Sequence, residues 1–82
     1  MSYYFNLKIV HATEMTTVKV QTTDTILQIK WQIATVWNVP VENQVLHISS
    51  QRLFLQDDRT LADYDIITDA TIDFLIRVED PT

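Results

Sequence analysis

The 82-residue sequence predicts an α+β domain with the element order β-β-α-β-β-β. Three observations carry this reading. Apolar and polar residues alternate in "FNLKIV" and "TTVKVQ", as in half-buried strands. The apolar period changes to three and four residues in "TTDTILQIKWQIATVWNVP", as on one face of a helix. Alternation then returns in "QVLHI" and "TIDFLIRV".

In the first strand Phe5, Leu7 and Ile9 share one face, with Asn6, Lys8 and Val10 on the other. "HATEM" forms a turn, and the second strand points Val18 and Val20 inward, so the pair reads as a hairpin. The helix buries Ile26, Ile29, Ile33 and Trp37; the Thr23-Asp24-Thr25 cluster offers capping oxygens at its start. Asn38 suits the left-handed position that closes a helix, and Pro40 ends the element. Leu46 and Ile48 point inward from the third strand, and "RLFL" is a short fourth. The last strand turns Ile72, Phe74 and Ile76 inward. The chain contains no glycine, so turns that need positive φ fall to Asn, Asp or Ser, at some cost in strain.

This is one domain, residues 1–82, with its core in about 5–78 and a tail over 79–82. Without cysteine there is no disulfide framework and no thiolate chemistry; without glycine there is no phosphate-cradling loop of the nucleotide-binding kinds. No signal sequence opens the chain and no apolar run approaches the ~20 residues of a membrane span. The expectation is a soluble protein of the cytoplasm or nucleus that does not engage membranes. Residues 1–41 carry a net charge of +1 and residues 42–82 carry −6. An acidic domain with no basic stripe is unsuited to nucleic acid and better matched to proteins with basic surfaces.

The stretch "DDRTLADYDI", residues 57–66, together with "DTI" opening the helix and "VP" after it, resembles the ubiquitin-like β-grasp family over Phe5 to Val78. In that family an Asp-Gly-Arg-Thr-Leu-x-Asp-Tyr-x-Ile segment closes the bottom of the core; here Asp58 stands at the glycine. The resemblance implies a mixed sheet crossed by one helix, with Leu61 and Ile66 plugging the core. It also implies that Tyr64 bonds its hydroxyl back to the backbone, and that Lys30 is partly buried and paired with Asp57. Residues 49–56 run about two longer than the family pattern.

Conjugated members of the family end in diglycine, whereas this sequence ends "RVEDPT"; the expectation is a non-conjugatable module. Three positions of the family's apolar recognition patch correspond here to Ala12, His47 and Leu75, so the central isoleucine is replaced by an imidazole. Strand alternation independently places Val10, Val45, His47, Asp73 and Leu75 on the outer sheet face. These residues, with Ala12, form the candidate protein-binding site.

Catalysis is not expected. His11 and His47 are the only histidines, no nucleophile signature surrounds a Ser or Thr, and Asp57 and Asp58 are loop neighbours that point apart. No metal-ligand spacing is present, and no cofactor is expected. A second candidate surface lies on the helix. Leu27 and Trp31, four residues apart and off the core stripe, are neighbours on its outer side. The sequence therefore predicts a protein-interaction module of ubiquitin-proteasome-type pathways that docks through its sheet face. The alternative is an assembly or adaptor subunit that buries Leu27 and Trp31 in a complex, or self-associates through them.

Overall fold

A computed structural model describes residues 3–77. Five strands form one mixed sheet and a single α-helix packs across it. The strands are β1 (Phe5–His11), β2 (Glu14–Val20), β3 (Gln44–Ile48), β4 (Leu53–Phe54) and β5 (Ala70–Ile76); the helix is α1 (Ile26–Trp37). Across the sheet the order is β2-β1-β5-β3-β4, with β1 and β5 parallel and the other pairs antiparallel. This is the expected ubiquitin-like β-grasp architecture.

The hairpin is tighter than "HATEM" suggests. β1 and β2 pair without interruption from Phe5↔Val20 to His11↔Glu14, leaving only Ala12 and Thr13 to turn the chain. Helix α1 starts at Thr25, whose hydroxyl accepts the Gln28 N–H at 3.2 Å while Gln28 Oε1 accepts the Thr25 N–H at 2.7 Å. This reciprocal box satisfies two of the donors that a helix start leaves free. The loop 57–66 satisfies two more: Ile26 N–H donates to the Arg59 carbonyl at 2.9 Å and Leu27 N–H to that of Asp57 at 3.1 Å. Asn38 closes the helix in the left-handed conformation (φ 57°) and donates its N–H to Ala34.

Among the described residues, four have positive φ: Ala12, Asn38, Arg52 and Asp65. Asn38 and Asp65 are the types expected there. Ala12 and Arg52 are not, and they take the strain because the two-residue hairpin and the turn after Ser49–Gln51 require it. That helical turn absorbs the extra length of residues 49–56 and shortens the fourth strand to two residues, so Arg52 lies outside it.

Phe5, Leu7, Ile9, Val18, Val20, Leu46, Ile48, Ile72 and Phe74 form the sheet side of the core, against Ile26, Ile29 and Ile33 of the helix. Leu61 and Ile66 close it from below through a short helical turn at Ala62–Tyr64. Tyr64 lies over this closure, its hydroxyl accepting the Gln56 N–H at 2.8 Å. Ile76, expected inward, is 41 % exposed at the last position of β5, although Gln44 opposite it on β3 is buried. The ends of the predicted core and tail, Val78 and residues 79–82, lie outside the described residues.

Among the described residues, two polar side chains are buried. Lys30, 7 % exposed, reaches Asp57 with an Nζ–Oδ1 distance of 2.6 Å, as the resemblance implied. Gln44 donates to the carbonyls of Lys30 and Val39, both at 2.9 Å, tying β3 to the helix and to the chain after it. Its amide group is a buried tie that alternation alone did not reveal.

Candidate protein-docking surfaces

Strand register brings the outer-face residues together. Val10 of β1 lies opposite Asp73 of β5, Asp73 opposite His47 of β3, and His47 opposite Phe54 of β4. Val10 also pairs with Met15 of β2. One row of side chains, Met15-Val10-Asp73-His47-Phe54, therefore crosses all five strands on the face away from the helix. Val45 and Leu75 form the adjacent row. Of the expected site, Val10, Val45, His47, Asp73 and Leu75 share this face. Ala12 sits apart, in the hairpin turn at the end of β1.

His47 has a neighbour on two sides. Its imidazole packs on the Phe54 ring with centroids 4.5 Å apart. Its Nδ1 lies 3.9 Å from Asp73 Oδ2, an ion-pair distance once the ring is protonated rather than a hydrogen bond. The Ser49 hydroxyl donates to the same carboxylate oxygen. Asp73 thus lies at one edge of the ring while Phe54 packs on its face. The serine bonds the acid and not the imidazole, so the three do not form a nucleophilic relay.

Phe54, 58 % exposed, is the member that sequence reasoning missed. It was read within "RLFL" as an ordinary strand residue. The available signal was parity: Leu53 and Leu55 reach inward, so Phe54 must face out beside the third strand's outward residue. With Leu75 at 47 % exposure, the face presents an aromatic and an aliphatic side chain around one imidazole.

On the helix, Leu27 and Trp31 are both exposed, Trp31 at 61 %. The N-terminal tyrosines go elsewhere: Tyr3 stacks on Phe5 with centroids 6.0 Å apart, and Lys19 Nζ lies 5.3 Å from the centre of the Tyr4 ring. His11 has a packing role, edge-on to Phe74 at 5.4 Å and tilted against Trp37 at 6.0 Å. Among the described residues, no group of three or more His, Asp or Glu side chains is placed to hold a metal ion, and no helix is long and apolar enough to cross a membrane.

The model of the ubiquitin family matches residues 5–79, nearly the whole chain. A search of curated proteins finds no match.

Proposed function

We propose, from the premise that this chain belongs to the ubiquitin family, that it is a docking module receiving a partner protein on its outer sheet face around His47. A ubiquitin-like domain is in general a protein-interaction module, and its work is done by a surface rather than a cleft. One observation carries the choice of surface: Phe54 and Leu75 remain exposed beside a His47 whose ring is packed against Phe54. Ordering those side chains in advance lowers the entropy lost on binding. Aromatic rings at the centre of a patch are the groups that most often dominate interface energetics.

The imidazole also defines what the partner offers. When His47 is protonated, Nδ1 faces Asp73 and its other N–H is free to donate to a carbonyl or carboxylate of the partner. Recognition would combine one such acceptor with apolar contact to Phe54 and Leu75. Docking within ubiquitin-proteasome-type pathways is the role we assign to this surface, on the strength of the family match.

Quantitative affinity capture from cell extract tests the reading. Captured proteins should fall about tenfold or more with His47→Ala, Phe54→Ala and Leu75→Ala, each of which leaves the core untouched. The exposure of Trp31 favours a second reading, an adaptor subunit that buries Leu27 and Trp31. Capture lost with Trp31→Ala and retained by all three sheet variants would establish that reading and overturn the first.

A further inference from the structure

The free long edge of the sheet is β2. Two hydrogen bonds fix which of its backbone groups face outward. Asn6 donates its N–H to Asp69 Oδ1 at 2.9 Å, toward β5 and away from β2. Its partner across the hairpin is Lys19, whose carbonyl accepts from the Gln32 side chain at 3.4 Å, on the side away from β1. The Asn6↔Lys19 pair is therefore a non-hydrogen-bonded one. By the alternation of an antiparallel ladder, Thr16, Val18 and Val20 bond to β1 while Met15, Thr17 and Lys19 present N–H and C=O to the edge.

Among the described residues, this edge is covered at one point only, where the Gln32 side chain donates to one lone pair of the Lys19 carbonyl. It is seven residues long, and its register against β1 runs without a bulge. It contains no proline, and its one exposed cation is Lys19. Such edges are templates for another strand. The opposite edge, β4, is two residues long and offers no comparable template.

We propose that β2 pairs with β2 of a second copy of this chain, antiparallel about a two-fold axis at Thr17, making a continuous ten-stranded sheet. This register uses the whole strand and brings outward backbone groups face to face: Thr17 opposite the partner's Thr17, and Met15 opposite the partner's Lys19. No like charges are opposed. The two Lys19 ammonium groups stand roughly 14 Å apart along the strands, and each lysine stem lies along a methionine. The charge distribution favours the same arrangement. Residues 42–77, with seven acids against three arginines and a net charge of −4, build β3, β4, β5 and their loops, which the strand order places on the far side of β1 from β2. Pairing through β2 keeps the two acidic halves at opposite ends of the sheet, whereas any contact through β3 or β4 brings them together.

About six inter-strand hydrogen bonds with little apolar burial make a weak, concentration-dependent dimer. Sedimentation of the chain from about 10 μM to about 1 mM should therefore show the average mass rise from monomer toward dimer. Thr17 is exposed on the outer face, so charged substitutions there keep the β1 ladder intact. Thr17→Lys and Thr17→Glu should each remain monomeric throughout, because each places like charges directly opposite across the axis. An equimolar mixture of the two should recover the dimer, since opposite charges then face each other. Melting curves of each variant confirm that the monomers are folded, and Trp31→Ala should dimerise like the unchanged chain. A wild-type chain monomeric at about 1 mM would overturn the proposal. So would dimerisation undiminished by either Thr17 variant, or a mixture that stays monomeric.

Discussion

Replacing Asp57 by Ala should destabilise the fold more than replacing its partner, Lys30, by Met. The two residues form one ion pair, but they sit in different surroundings: Lys30 is 7 % exposed, and the Asp57 side chain is 49 % exposed. Removing Asp57 strands an ammonium group at the foot of the helix, among apolar side chains, with its counter-charge gone. A loss of about 2–4 kcal/mol follows, somewhat below the 3–5 kcal/mol of a fully buried pair because the carboxylate partner is half in water. Removing Lys30 instead leaves a carboxylate that water can reach, and a methionine of similar length refills the space; about 1 kcal/mol is the expected cost. For a domain of this size these figures correspond to roughly 10–25 °C and 4–8 °C in melting temperature. Thermal melts at neutral pH read both, and repeating them in 1 M salt should leave the difference nearly intact, since the lysine end is shielded from mobile ions. Equal losses for the two variants, or a larger loss for Lys30→Met, would refute the reasoning, because the cost would then follow side-chain packing and not the stranded charge.

Other parts of the fold give equally specific expectations. Ala12→Gly should raise stability by about 1 kcal/mol in denaturant titrations, because the hairpin holds residue 12 at φ 54°, where a Cβ is unfavourable. Tyr64→Phe should cost about 1 kcal/mol by the same measurement, since the Gln56 N–H loses the hydroxyl oxygen that accepts it at 2.8 Å. The Asp63 carboxyl should titrate below its ordinary value of 3.8 when followed by NMR, mainly because the Thr60 N–H donates to it, with the Thr60 hydroxyl and the Arg59 charge adding to the effect. A depressed carboxyl in the folded state contributes stability above the unfolded value that is lost as pH falls through the folded one. Asp63→Asn should therefore lower stability at neutral pH, where the ionised carboxylate contributes, and converge with the unchanged chain in acid, so that the acid limb of its stability curve is flatter.

The elements legible in the sequence were those whose periodicity is enforced by a single buried face. The β1–β2 alternation, the Ile26-Ile29-Ile33 stripe and the Leu61/Ile66 plug all lie where expected, because each position has only one way to avoid water. Ile76 departs from the expectation because alternation states which face a side chain takes, and not how deeply the last position of a strand is buried. Ala12 and Arg52 show a related limit: the length of a connection can force a left-handed residue regardless of its type. In the candidate site, the shared face of Val10, Val45, His47, Asp73 and Leu75 follows from alternation alone. What brings Phe54 against His47 is the register between β3 and β4, and that depends on the turn at Ser49–Gln51, which no local pattern specifies.

The parallel pairing of β1 with β5 also determines how the domain responds to tension. Both strands begin at the same end of the sheet and lie side by side from Leu7↔Ala70 to Val10↔Asp73. A pull applied through Phe5 in one direction and Ile76 in the other slides these two strands past each other along their length. The hydrogen bonds of that ladder are loaded together in shear, and none can part before its neighbours. A pull across the strands would open them one at a time. Linked by its two ends between other folded units, this domain would hold against force applied along that line for as long as its unfolding rate allows, and would yield far sooner to force applied from the side.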